Sequence, residues 1–308
     1  MKQMKKRDFC YSSRDGKTPI HAIEWIPAGP IRAILQISHG MVEYINRYDG
    51  LARFLCQKGF YVVGNDHLGH GASVYADEDH GFFAEKRGNA CLIGDMHSLR
   101  KRTQKKYPTL PYFMLGHSMG SFLLRQYVAT YGKGLSGVIF MGTGRQPKAK
   151  LFFGRLVCHI LSIPFGWYHR SPMVNQMAFA GYLDRIKDPI SDMDWLSANE
   201  DNVLSYLADP WCGFYFTLNA FDQMFLGMER TDPDRIPKDL PILLVSGKED
   251  PVGNYGKDVT ALKETYQKKG IRQVETILYP NDRHEILFEE DHMQVYHDLA
   301  SWMEAVCS

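Results

Sequence analysis

Apolar positions along this chain gather into short, nearly unbroken runs: PIHAIEWI, RAILQIS, FYVVGND and YFMLG early, then SGVIFMG, PILLVSG and VETILYP. Each is of strand length and rich in β-branched or aromatic residues, and a glycine-bearing turn follows each of the first four. Between the runs the period becomes helical. YDGLARFLCQKG closes on Gly59, which suits a helix C-terminus. Residues 91–107 keep Leu92, Met96 and Leu99 at helical spacing until Pro108. Residues 119–131 put Gly120, Leu124, Tyr127, Val128 and Tyr131 on one face, and a last helix is predicted over 289–306. Strands alternating with helices predict an α/β fold with a mostly parallel central sheet covered on both faces.

The rhythm breaks between residues 142 and 236, where the pattern is helical with DP and IP punctuation. Residues 147–231 hold 15 aromatics in 85 positions, about 18%, against 13% for the whole chain. An insertion richer in aromatics than its host predicts a helical cap (lid). The expected organisation is a core in two parts, 1–146 and 233–308, with the cap at 147–232. In KAKLFFGRLVCHILSIPFGWYHR, Phe152, Phe153, Leu156, Val157, Ile160 and Leu161 repeat at helical spacing between basic residues. Three readings stay open for this stretch: packing on the core, lining an acyl-chain pocket through residues such as Phe152 and Phe153, or transient contact with a membrane surface.

Composition narrows the function classes. With 308 residues and a formal net charge of +1, nothing in the balance calls for nucleic acid or an acidic protein partner. No apolar run approaches the roughly 20 residues that span a bilayer. The start MKQMKKRDF is basic, but no apolar core or cleavage site follows it, so a cytoplasmic address is expected. The cysteines at 10, 56, 91, 158, 212 and 307 show no framework spacing and are expected to be free thiols. The basic run from Arg100 to Lys106 reads as a solvated helix face.

The chemistry centres on LGHSMGS. A strand precedes it and a helix follows, so GxSxG forms a nucleophile elbow with Ser118 at the apex and Gly116 and Gly120 allowing close packing. A serine needs a base held in one tautomer by a carboxylate. Elbow enzymes place the acid and then the histidine on later loops that follow strands. After ILLVSG, KEDPVG offers Asp250, with Glu249 as its rival; after ETILY, PNDRHEIL offers His284. His292 and His297 fall on the last predicted helix and read as surface residues. The backbone N–H groups of Met119, after the nucleophile, and Met41, in the SHGMVEY loop, are the candidate oxyanion donors.

Other site chemistries fail on spacing. HEILFEEDH has Phe288 where HExxH needs its second histidine, so no metal is expected. GHGASV has Val74 where GxGxxG needs glycine, and no cofactor is expected.

HGMVEYINRYDGLA, NDHLGHGAS, KYPTLPYFMLGHSMGS, SGKEDPV and NDRHEIL, in that order, resemble the monoglyceride lipase and lysophospholipase branch of the α/β hydrolases. The match covers about residues 31–121 and 241–287. The resemblance implies an α/β-hydrolase fold and a serine carboxylester hydrolase that forms an acyl-enzyme on a small-molecule ester: monoacylglycerol, lysophospholipid or a similar single-chain fatty acyl ester. It carries the nucleophile onto Ser118, the general base onto His284 and its orienter onto Asp250, with Met41 and Met119 as oxyanion donors. Members often carry glycine after GHSMG, where this chain has Ser121. A short-chain carboxylesterase, a thioesterase or an aminopeptidase would use the same triad. A non-catalytic binding protein on this scaffold would commonly lack a triad member, and all three are present.

Overall fold

The computed structural model describes residues 3–308, and the first two residues of the basic start lie outside them. A hairpin of β1 (Lys5–Ser12) and β2 (Pro19–Ile26) opens the fold. β3 (Ala33–Ser38), β4 (Phe60–Asn65), β5 (Tyr112–His117), β6 (Gly137–Met141), β7 (Ile242–Gly247) and β8 (Val274–Tyr279) complete one eight-stranded sheet of order β1-β2-β4-β3-β5-β6-β7-β8. β2 runs antiparallel to β1 and β4, and every pair beyond β4 is parallel. β3 to β7 are buried along their whole length, which explains their unbroken apolar runs: both faces are covered.

Alternate strand residues feed two cores. Leu35, Val62, Phe113, Leu115 and Leu243 pack with Leu51 and Leu55 of α1 (Asp49–Gln57) and Leu299 and Met303 of α9 (His292–Cys307). Ile34, Val63, Met114 and Leu244 pack on the other side. There they meet α2 (Gly88–Lys106), α3 (Met119–Tyr131) and α8 (Lys257–Lys268). α9 begins three residues later than its periodicity suggests. The Glu289 carboxylate is occupied as a loop anchor, accepting from Ser197 Oγ and from the N–H groups of Ala198, Asn199 and Arg283.

Between β6 and β7 the chain leaves the sheet and forms α4 (Lys148–Phe165), α5 (Pro172–Ala178), α6 (Glu200–Ala208) and α7 (Leu218–Glu229). α4 lies on α7, where Arg155 pairs with Asp222 at 3.0 Å and Glu229 at 3.1 Å. α7 is tied to the core in turn: Asn219 accepts from Phe83 N–H and donates to Ala84 C=O, while Gln223 accepts from Asn89 N–H.

The first turn of α3 lies hard against the end of β3. A Cβ on Gly120 would sit 2.1 Å from the Ser38 carbonyl oxygen, so only glycine fits this crossing. Gly120→Val should therefore lower stability by about 1–3 kcal/mol or more, the range for forced overpacking, read as a shift in the urea midpoint. An unchanged midpoint would show that α3 and β3 separate easily.

Candidate active site

Ser118 joins β5 to α3 with φ 51° and ψ −121°, a conformation that non-glycine residues avoid. Its surroundings hold it there. Ser118 N–H donates to Met141 C=O at 3.0 Å, and Ser118 C=O accepts from Ser121 N–H at 2.8 Å and Ser121 Oγ at 2.6 Å. Ser121, where the resemblance expects glycine, is fully buried and spends its hydroxyl on the elbow.

Asp250 follows β7 and is fully buried, whereas its rival Glu249 is exposed. Asp250 Oδ1 accepts from Val252 N–H at 2.9 Å, and Oδ2 accepts from Ser246 Oγ at 3.1 Å. The same Oδ2 lies 3.0 Å from His284 Nδ1. A carboxylate at Nδ1 makes that nitrogen the protonated one and leaves a lone pair on Nε2, which is buried and carries no hydrogen bond. Trp195 of the insertion covers the His284 ring at a centroid distance of 5.0 Å. His292 and His297 lie on α9, and neither lines the cavity that His284 and Ser118 share.

That cavity lies between core and insertion and encloses about 1310 Å³, its open mouth included. Gly40, Met41 and Met119 line its floor, and Phe153, Val157, Phe179, Met224 and Phe225 are among its insertion-side walls. Phe153 therefore reaches the cavity. Phe152 does not: it is 65% exposed on the outer side of α4, because neighbouring residues of a helix point about 100° apart.

The loop after β3 is pinned atom by atom. His39 Nδ1 donates to Gly40 C=O at 2.7 Å, while His39 Nε2 accepts from His67 N–H at 2.8 Å. Burial pushes the His39 pKa down, in keeping with a neutral ring that must accept at Nε2. Gly40 N–H donates to Glu43. With both sides of Gly40 held, the Met41 N–H is fixed trans to the Gly40 carbonyl. Val42 follows at φ 49°, strained for a β-branched residue, and its carbonyl accepts from Tyr206 Oη and Gly213 N–H of the insertion, both at 3.2 Å.

Beneath the loop lies a buried cluster whose members carry no periodicity and no local motif beyond HGxxE. Arg47 reaches Glu285 through both nitrogens, Nη1 at 2.6 Å and Nη2 at 2.9 Å, and Glu43 through Nη1 at 2.9 Å. Asn202 of α6 donates to Glu285 at 2.7 Å. Burial pushes the Glu43 carboxyl up, but its hydrogen bond to His117 and the charge of Arg47 outweigh this and hold it well below the usual carboxylate range. Glu285 follows His284 directly, and that adjacency is the one signal in the chain that could have pointed to it.

Among the described residues no group of three or more His, Cys, Asp or Glu side chains is placed to hold a metal ion. The site thus brings together a strained serine, an imidazole with a free lone pair, a buried carboxylate behind it and a rigid loop of backbone donors. Residues 29–291 match the family described as Serine aminopeptidase, S33. The chain belongs to this family. As a member it is a serine hydrolase with the α/β-hydrolase fold. It is 25% identical to a monoacylglycerol lipase of Mycolicibacterium smegmatis over 91% of this chain and 90% of that one. It is also 25% identical to human monoglyceride lipase, over 73% of this chain and 68% of the relative. The crystal structure of a highly thermostable carboxyl esterase from Bacillus coagulans, in complex with glycerol, superposes with a TM-score of 0.92 at 31% identity, covering 99% of this chain and all of that one.

Proposed function

We propose that this serine hydrolase cleaves single-chain fatty acyl esters, monoacylglycerols and lysophospholipids foremost, through an acyl-enzyme on Ser118. Ser118 Oγ attacks the ester carbonyl carbon as His284 Nε2 takes its proton. Asp250 holds the ring and stabilises the imidazolium. The tetrahedral oxyanion accepts from the N–H groups of Met41 and Met119. Collapse breaks the bond to the alcohol, which leaves with the proton from His284. Water, deprotonated by the same nitrogen, then releases the fatty acid and restores Ser118.

The apolar insertion wall of the cavity carries this reading. Leu151, Phe153, Val157, Phe179, Met224 and Phe225 offer a flexible hydrocarbon chain many contacts and offer a peptide few hydrogen bonds. An aminopeptidase needs a carboxylate for the substrate ammonium. Glu43 and Glu285 are the acidic residues in the lining, and Arg47 already engages both. The insertion thus acts as a cap that selects acyl chains.

A lipid substrate also gives the outer side of α4 a role. Phe152, Leu156, Ile160 and Ile163 share one helix face and are exposed, Ile163 at 86%, with Lys148 exposed on the same face at the N-terminal end of α4. Among the described residues no helix is long and apolar enough to cross a membrane, so contact would be interfacial. The protein should float with vesicles of phosphatidylcholine and phosphatidylglycerol. Phe152→Ser with Ile163→Ser should lose that flotation and keep turnover of a water-soluble ester, and equal flotation would remove the membrane contact.

Burial is worth about 0.8 kcal/mol per methylene, roughly a factor of four in affinity. Across monoacylglycerols of increasing chain length, kcat/KM should rise from acetyl to at least octanoyl, with triacylglycerols poor because further chains must fit beneath the cap. A profile that peaks at acetyl or butyryl, or faster cleavage of aminoacyl amides than of any ester, would overturn the lipid reading.

A further inference from the structure

His117 is the residue before Ser118, and its imidazole is buried beneath the site. Nδ1 lies 3.2 Å from Glu43 Oε1 and 3.1 Å from Tyr48 Oη. Tyr48 gives its own hydrogen to Glu43 Oε1 at 2.9 Å, so it offers His117 only a lone pair. Nε2 lies 3.3 Å from the main-chain carbonyl oxygen of His284. Each ring nitrogen thus faces acceptors, and a neutral imidazole can satisfy only one of them. The charge balance agrees. Glu43 and Glu285 bring two negative charges, Arg47 one positive, and the cluster is buried, so a neutral His117 would leave one negative charge uncompensated.

We propose that His117 is a buried imidazolium that neutralises the Glu43–Arg47–Glu285 cluster and, through Nε2–H, holds the backbone of His284 in place. It is a positioning residue, since its ring nitrogens reach Glu43, Tyr48 and the His284 main chain and neither is spent on a reacting atom. Burial alone would push its pKa down, but the hydrogen bond and charge of Glu43 and the charge of Glu285 push it up further. The other titratable groups around it are His39, which stays neutral, Tyr48, whose phenol burial pushes well up, and His284, whose ring lies 4.8 Å away. A histidine pKa raised on folding contributes stability that is fully present below the unfolded value and is lost as pH rises through the folded value. Deprotonation at Nε2 would release the His284 carbonyl, so turnover should fall on an alkaline limb that belongs to His117. The protonation state stands whatever the substrate; its effect on turnover rests on His284 acting as the base.

Nitrogen-15 NMR of the histidine rings tests the state directly. At pH 8 the His117 ring should carry protons on both nitrogens; His21, with Asp66 at 2.8 Å and Asp8 at 3.0 Å on its two nitrogens, is the ring that could be mistaken for it. In His21→Gln one such ring should remain, and finding none would overturn the proposal without requiring any change at His117. In His117→Gln, kcat on a soluble ester should drop roughly 10- to 100-fold, the cost of slight misplacement of a reacting group, with KM little changed and the alkaline limb gone. Unchanged kcat with the limb retained would overturn the positioning role. If instead the triad reading is wrong, the wild-type enzyme will also fail to turn over esters while the NMR result stands.

Discussion

The guanidinium of Arg47, buried among Glu43, Glu285 and Asn202, joins three parts of the chain that are far apart in sequence. Glu43 belongs to the loop that presents Met41, Glu285 to the loop that presents His284, and Asn202 to the insertion. Charges taken out of water are costly unless every lone pair and proton finds a partner, and removing one partner of such a pair typically costs about 3–5 kcal/mol. The cluster therefore has little freedom to rearrange in part. If the loop after β3 moves, Glu43 loses Arg47; if the His284 loop moves, Glu285 does.

Strain elsewhere in the site depends on this rigidity. Ser118 and Val42 both sit at positive φ without being glycine, and neither would stay there in a loose loop. β5, α3 and the carbonyl of Met141 hold the first; Tyr206 and Gly213 hold the second from the insertion side. The segment that walls the cavity thus also helps to set the backbone donors. In the proposed mechanism binding and chemistry would share one support, because donors fixed in advance need no reorganisation when charge develops on the oxyanion.

The parallel strands β3 to β7 could be read from the sequence because burial on both faces makes each a nearly unbroken apolar run. β1 could not: KKRDFCYS is a half-exposed edge strand whose charges hide its alternation. α8 is obscured in the same way, with Val259, Leu262 and Tyr266 as its buried positions in a polar stretch. Ser118, Asp250 and His284 stood out because each follows a strand that was itself legible. Phe152 and Phe153 were equivalent in sequence, since helical spacing shows that a face exists and not which side meets the cavity. The Arg47 cluster and the role of His117 depend on contacts such as Arg47 to Glu285, 238 residues apart, which no local pattern encodes.

The central claim is that this arrangement activates Ser118, and a fluorophosphonate measures that directly because it reacts only with a serine made nucleophilic. Intact mass and peptide mapping of the native protein should show one adduct on the peptide bearing Ser118, with labelling lost in His284→Ala and after denaturation. An unlabelled native protein, an adduct on another residue, or equal labelling without His284 would contradict the account.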